Sequence, residues 1–237
     1  MKVKEIYSQS FKHAIMAKVM LTLSFMFLFF VNCSGINKVN SDDVKKETNN
    51  ETGNKALVVY FSMPETNNPN NMTTDEANST VVIDGKVLGN TQYVALLIQE
   101  NTGADIFRLE PKIPYPTDYS TLVDLVKKER TENARPELGK SVDNLEQYDI
   151  IFLGYPNWWG DMPMIIYSFL DNYDLSGKII IPFNTHGGSG FSNTISTIAK
   201  LQPNAKVEKN GFTVSRNSVD KAKNDVIDWL RSLKIVE

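Results

Sequence analysis

The sequence predicts an α/β domain built as a doubly wound parallel sheet. Short apolar runs rich in Val, Ile and Phe alternate five times with segments of helical periodicity. The runs lack the polar alternation of a strand with one solvated face, so each strand is expected to be buried on both faces. Strands of this kind, joined by helices, form a parallel sheet whose ligands bind beyond the carboxyl ends of the strands.

Each predicted element has a local reason. Residues 63–79 are polar and contain two prolines, which predicts an irregular excursion, and the Asp84-Gly85 pair between two β-branched runs predicts a hairpin on a type I′ turn. Asp161 is expected to cap a helix with Pro163 in its first turn, and Ser218 to cap the last helix, whose Trp229 lies in the core. The five strands are predicted at 56–61, 105–109, 149–154, 178–183 and 211–214, and the helices at 89–103, 118–126, after 161, at 193–201 and after 218.

Three parts follow one another along the chain. Residues 1–33 place lysines before a short apolar run that closes at Cys33, which resembles the signal of a bacterial lipoprotein, although Phe30 and Asn32 depart from the usual lipobox. A cleaved signal without lipid and an uncleaved anchor are the alternatives. Residues 34–54 are polar and predict a flexible linker, and residues 55–237 form the domain. We therefore expect a lipid-anchored, extracytoplasmic protein of the bacterial cell envelope.

Composition excludes several classes of function. The net charge of −3 and the absence of a basic stripe argue against nucleic-acid binding. Cys33 is the only cysteine, and His186 has only His13, in the signal, as a second histidine, so no metal site is expected. Ser189 lies in His-Gly-Gly-Ser-Gly, but Phe191 breaks the nucleophile pattern of hydrolases.

Three unusual segments follow the first, third and fourth strands and should meet at one edge of the sheet. The first offers hydroxyls and a helix start, which suit a phosphate but lack the lysine of a triphosphate-binding loop. The second offers two indoles as a flat wall, and the third offers backbone donors. A phosphomonoester at one end and a flat heteroaromatic ring at the other describe FMN. The candidate residues are Ser62, Gly89, Asn90 and Thr91, then Pro156, Asn157, Trp158, Trp159 and Gly160, then Thr185, His186, Gly187, Gly188, Ser189 and Gly190.

From Ala56 to the last helix the chain resembles the flavodoxin family. The resemblance rests on a phosphate motif split by an insertion, with Ser62 on one side and Gly89-Asn90-Thr91 on the other, and on the segments 155–160 and 185–191 as flavin-ring loops. It implies strand order 2-1-3-4-5 in a five-stranded sheet and noncovalent FMN at the switch point, for which flavodoxin is a standard example. It implies no catalytic acid or base.

Two classes of function remain open. The first is an electron-transfer flavoprotein, either a shuttle or an FMN-dependent NAD(P)H:quinone-type reductase, with redox partner proteins or small electron acceptors as partners. Indole stacking and an acidic surround would lower its potential by disfavouring the anionic reduced flavin. The second is a noncatalytic lipoprotein that retains the fold. Tyr115 and Tyr119 are expected to shield the pocket.

Overall fold

The computed structural model describes residues 54–237, with a parallel sheet at the centre. A separate antiparallel hairpin lies beside it. The strands are β1 (Ala56–Tyr60), β2 (Thr80–Ile83), β3 (Lys86–Gly89), β4 (Asp105–Arg108), β5 (Ile150–Pro156), β6 (Ile179–His186), β7 (Lys206–Val207) and β8 (Phe212–Ser215). The helices are α1 (Thr74–Ser79), α2 (Asn90–Thr102), α3 (Tyr119–Thr131), α4 (Met164–Asn172), α5 (Thr194–Leu201) and α6 (Lys223–Ser232).

The central sheet has the strand order β4-β1-β5-β6-β7, and β8 also pairs with β6. Every pairing within it is parallel, so the predicted α/β fold with a parallel sheet is confirmed. The expected five-stranded order 2-1-3-4-5 is not reproduced as such. The sheet has six strands, because two short strands, β7 and β8, share the edge beyond β6.

Pro182 explains why that edge is divided. The carbonyls of Ile180 and His186 accept hydrogen bonds from Glu208 and Arg216, so alternate residues of β6 face the edge. Pro182 belongs to this alternate set and has no N–H to donate, so the ladder is interrupted opposite it. The chain passes close to this point at Gly211, where an added Cβ would lie 2.6 Å from the Pro182 carbonyl oxygen.

Apolar side chains cover both faces of the sheet. Along β1, Val59 faces a cluster formed with α3, α4 and α5, whereas Val58 faces a cluster formed with α2 and α6. Trp229 of α6 belongs to the second cluster and is 8% exposed, with its Nε1 donating to the Asn210 carbonyl at 2.7 Å. The predicted core position of Trp229 is confirmed. Because every pairing in the sheet is parallel, the carboxyl ends of its strands lie at one edge.

Two helix starts differ from the sequence-based expectation. Asp161 does not cap α4, which begins at Met164; its carboxylate accepts hydrogen bonds from the Met162 N–H and the Tyr167 hydroxyl instead. Ser218 does not cap α6, because a 3₁₀ turn at Val219–Lys221 comes first and the Ser218 side chain makes no capping bond. The Asp161 side chain thus satisfies nearby groups rather than the helix end.

Residues 63–88, which the sequence predicts to be an insertion and which are called the insertion below, contain more order than expected. The predicted hairpin is confirmed, with Asp84 and Gly85 at φ 49° and 74° in its turn. The short helix α1 is not predicted. Thr73 accepts a hydrogen bond from the Glu76 N–H, and the Glu76 carboxylate accepts one from the Thr73 N–H, so a capping box starts the helix.

The expectations for the signal at 1–33 and for Cys33, and most of those for the linker at 34–54, fall on residues outside the described part of the chain. Within 54–237, no helix has the length and apolar character that crossing a membrane requires.

Candidate functional site

A cavity of about 340 Å³ lies beyond the carboxyl ends of β1, β5 and β6. β1 lies between β4 and β5, so the winding of the chain reverses beside it, and this switch point is where open α/β sheets bind their ligands. All three predicted segments contribute to the cavity wall. The strand-end rule therefore located the cavity correctly.

The two halves of the split segment meet at the first end of the cavity. An alanine Cβ at Gly89 would lie 2.1 Å from the Ser62 Oγ and 3.1 Å from its Cβ, so a side chain at this position would force Ser62 to move. Ser62, Asn90 and Thr91 are all at least 96% buried and line the cavity. The insertion thus returns the chain to the point that it left.

Asn90 has an unsatisfied polar atom at this end. Its Nδ2 donates to the Asn78 carbonyl at 3.0 Å, whereas its Oδ1 is buried and finds no partner among the residues described. Thr91 and Thr185 share a hydrogen bond at 2.8 Å between their hydroxyls. A buried acceptor without a partner is unfavourable, so a ligand that donates a hydrogen to Asn90 would relieve this state.

The two tryptophans have different environments. The Trp158 indole is half-buried and packs edge-to-face on Phe61 and Tyr115, with ring centroids 5.5 Å and 6.1 Å away. The Trp159 indole is 48% exposed, and both residues line the cavity. The Trp158 indole is therefore a wall of the cavity that is fixed by its packing on the core. The Trp159 indole is a second wall, and it is exposed. Tyr115 supports this wall from behind, and Tyr119 lines the cavity itself.

The segment 158–161 forms a strained turn. Trp158 and Asp161 exchange two backbone hydrogen bonds at 2.9 Å and 3.2 Å, with Trp159 and Gly160 between them at φ 52° and 76°. Positive φ at both central positions is the geometry of a type I′ turn. Glycine adopts it freely, but a bulky residue such as Trp159 does so only at a cost in free energy.

Hydrogen bonds hold this turn from two sides. Asn157 accepts the Gly160 N–H on its Oδ1 at 2.9 Å and donates from Nδ2 to the Gly190 carbonyl at 2.8 Å. Arg130 of α3 donates from Nη1 to the Trp159 carbonyl at 3.0 Å. Asn157 therefore ties the tryptophan turn to the glycine-rich segment, and the two cavity walls are coupled.

The third segment begins inside a strand. Thr185 and His186 are the last residues of β6, so the loop proper starts at Gly187. The His186 Nδ1 accepts the Gly188 N–H at 2.8 Å, and burial lowers the pKa of His186, so the imidazole is neutral with Nδ1 unprotonated. Within residues 54–237, no group of three or more His, Cys, Asp or Glu side chains is placed to hold a metal ion.

Most of the predicted site residues line one cavity. The predicted residues that do not line the cavity are four glycines, which shape the backbone around it: Gly89, Gly160, Gly188 and Gly190. Those that do are Ser62, Asn90, Thr91, Pro156, Asn157, Trp158, Trp159, Thr185, His186, Gly187 and Ser189.

Three further groups of lining residues are not predicted. The insertion supplies a carboxyl group, Glu65, which lines the polar end. Helix α3 supplies apolar side chains. After β8, Arg216 places its guanidinium against Gly187, where an added Cβ would lie 3.4 Å from Cζ. Two features of the sequence could have indicated these residues: the arginine just after the last strand, and the apolar positions on one face of α3. The additional lining residues are Met63, Glu65, Asn78, Ser79, Leu122, Val123, Val126 and Arg216.

The family model described as Flavodoxin matches residues 80–233, more than half of the 237-residue chain. The chain belongs to the flavodoxin family. The match with the flavodoxin model runs from β2 to the end of α6, so it includes the start of α2 and the segments 155–160 and 185–191 but not Ser62. No curated protein matches the chain.

Solved structures also resemble this flavodoxin-family chain. A protein assigned as a flavoprotein from Bacteroides eggerthii DSM 20697 is 25% identical with a TM-score of 0.57, over 76% of this chain and 98% of its own. Another, from Bacteroides uniformis ATCC 8492, is 27% identical with a TM-score of 0.54, over 71% and 97%. A flavoprotein in complex with FMN from Lactobacillus acidophilus NCFM is 20% identical with a TM-score of 0.49, over 71% and 97%.

Proposed function

We propose that this chain binds FMN noncovalently and serves as an electron-transfer protein. One observation carries the proposal: a single cavity has buried hydroxyl and amide groups at the start of α2 and two indoles on its other wall. FMN presents a phosphate and a flat ring at opposite ends, which matches these two ends in chemistry. Membership of the flavodoxin family supports FMN as the cofactor.

The polar end fits a phosphate and the sugar-like chain beside it. The first N–H groups of a helix have no intrahelical partner and carry partial positive charge, so the start of α2 favours an anion. Ser62 adds a buried hydroxyl group. The unpartnered Asn90 Oδ1 would accept a hydrogen from a hydroxyl of the ligand.

The other end fits a ring. Trp158 offers a wall that its packing on Phe61 already fixes, so little side-chain entropy is lost when a ring stacks against it. Tyr119, with 45% of its surface exposed, and Trp159 border the same cavity and would limit the access of water. Bound FMN supplies the electron-carrying chemistry, and the protein sets its orientation and electrostatic environment.

The charges around the cavity favour a second candidate, an FMN-dependent NAD(P)H:quinone-type reductase. The acidic surround expected from the sequence is not what lines the cavity: the ionisable acid and the guanidinium there are Glu65 and Arg216. A cation beside a flavin stabilises its anionic reduced form and so favours two-electron chemistry. Arg216 is the observation that supports this candidate.

The proposal includes a place in the cell. Lipid attached at Cys33, followed by the polar linker, would hold the domain at the outer face of a bacterial membrane. Redox proteins or small electron acceptors would then reach the flavin at that surface. The exposed indole of Trp159 beside the cavity offers such partners an apolar contact.

The test is a titration of the purified full-length chain with FMN, followed by absorbance and flavin fluorescence. We expect a yellow protein and saturable quenching. Addition of NAD(P)H, with and without a quinone, then separates the two candidates, since only the reductase oxidises NAD(P)H steadily. A colourless protein that ignores FMN would leave the noncatalytic lipoprotein as the better interpretation.

Asn157→Ala is expected to weaken FMN binding about tenfold, equivalent to about 1.4 kcal/mol. The substitution removes the bonds from Asn157 to Gly160 and Gly190, so both walls of the cavity loosen. Asn172→Ala, at an exposed position on α4 away from the cavity, is the matched control and should bind as the wild type does. Equal affinities for the two variants would show that Asn157 does not position the walls.

A further inference from the structure

The insertion places an acidic side chain where the proposed function requires a phosphate. Glu65 lines the polar end of the cavity together with Ser62, Ser79 and Asn90. The Glu65 Oε2 is inaccessible to solvent and has no hydrogen-bond partner among the residues described. Burial of a carboxyl oxygen without a partner disfavours the ionised form, because the neutral form loses less hydration on burial.

The charges around Glu65 act in the same direction. Burial raises the pKa of Glu65 above its usual value, the hydrogen bond with Ser79 acts against this rise, and the carboxylates of Asp75 and Glu76 on α1 add to it. On the β1 side, the guanidinium of Arg108 contacts other groups: it donates to the Ser62 carbonyl at 2.8 Å and lies 3.9 Å from the Glu110 carboxylate.

The remaining ionisable groups of the cavity come from its glycine-rich side. Arg216 lines this wall together with His186, whose pKa burial lowers, so the imidazole is neutral near pH 7. No ion pair to Glu65 is present among residues 54–237. Among these residues, an incoming anion would therefore meet a carboxyl group that has no cation paired with it.

We infer that FMN binding is coupled to protonation of Glu65, whose neutral carboxyl group donates a hydrogen bond to the phosphate while the ionised carboxylate repels it. This inference rests on the proposed function and adds its regulation by pH. It also assigns a task to the insertion, which supplies the carboxyl group in place of the missing middle of the phosphate segment. The phosphate adds negative charge beside Glu65, so the pKa of Glu65 is higher in the complex than in the free protein.

The sign of the pH dependence follows from this difference. Below the pKa of Glu65 in the free protein, the carboxyl group is already protonated and FMN affinity is greatest. Above it, each unit of pH lowers the affinity about tenfold, until the pKa in the complex is reached. A phosphate loses its second proton near pH 6, and a site of neutral donors beside a helix start would bind the resulting dianion more tightly. Coupling to Glu65 thus makes FMN affinity fall as pH rises, whereas a site of neutral donors makes it rise.

The experiment titrates the full-length chain with FMN and with riboflavin from about pH 5 to about pH 8, a range that begins near the ordinary pKa of a glutamate side chain. The dissociation constant for FMN is expected to rise at least tenfold across it, whereas that for riboflavin, which lacks the phosphate, stays constant. Glu65→Gln keeps a hydrogen-bond donor and should abolish the fall in FMN affinity as pH rises. Asp124→Asn, which removes an exposed acid on α3, is the matched control and should follow the wild type.

Calorimetry of the wild-type protein provides a second measurement that needs no variant. Binding enthalpies in two buffers of different ionisation enthalpy should reveal uptake of a proton with FMN but none with riboflavin. If FMN affinity is constant or increases with pH, or if Glu65→Gln keeps the wild-type slope, proton coupling is wrong and the proposed function stands. If neither flavin binds at any pH, the proposed function fails with it.

Discussion

Replacing Gly154 by alanine is expected to lower the free energy of unfolding by about 3 kcal/mol, near the upper end for an overpacked core. Gly154 of β5 pairs with Phe183 of β6, and an added Cβ would lie 2.1 Å from the Phe183 Cζ and 2.3 Å from its Cε2. The Phe183 ring is fully buried, so it has no free space to move into. Chemical denaturation of the full-length chain, followed by circular dichroism, measures the change.

A double variant tests the cause. Phe183→Leu shortens the clashing side chain, so Gly154→Ala combined with Phe183→Leu should lose clearly less stability than the sum of the two single changes. Additive losses would mean that the Phe183 ring does not lie over Gly154. A Gly154→Ala protein as stable as the wild type would contradict the close packing of β5 on β6.

Replacing Trp158 by alanine is expected to lower the free energy of unfolding by about 3 kcal/mol, the lower end for a large aromatic residue because the indole is only half-buried. The change removes the indole that packs on Phe61 and Tyr115, and with it the fixed wall of the cavity. FMN affinity should fall about 5- to 150-fold, since loss of one aromatic stacking contact weakens binding by about 1–3 kcal/mol. Denaturation and FMN titration measure the two effects separately.

The neighbouring tryptophan supplies the control. Trp159→Gly removes an exposed indole and places glycine at φ 52°, which glycine adopts without strain, so stability should stay constant or rise by up to about 1 kcal/mol. FMN binding should still weaken. If Trp159→Gly destabilised the protein as much as Trp158→Ala, the division between an anchored and an exposed indole would be wrong.

The strands were predictable because burial on both faces leaves an unbroken apolar run. The ends of the strands were less predictable. The strand β6 continues through Asn184 and Thr185, which are polar but buried, because the amide of Asn184 and the hydroxyl of Thr185 find hydrogen-bond partners in the folded chain. The hairpin followed from Asp84-Gly85. The division of the edge into β7 and β8 could not be predicted from the edge segment itself, because it depends on the position of Pro182 in the neighbouring strand β6.

The site followed the same pattern. The approach of Ser62 to Gly89 was predictable, since both lie at a strand end or a helix start that the fold brings together. Glu65 was not, because its position depends on the path of the insertion and on the capping box that begins α1. Arg216 was missed for a similar reason, as its place beside Gly187 follows from the pairing of β8 with β6.

The division of the sheet edge at Pro182 has a consequence for how copies of this protein meet. A sheet edge with a long row of unpaired N–H and C=O groups recruits strands from other molecules and starts aggregation. Here β7 has two residues and β8 has four, with a break between them, and the opposite edge, β4, also has four. Neither edge offers a template long enough for another chain to extend, so crowded copies are protected from joining sheet to sheet.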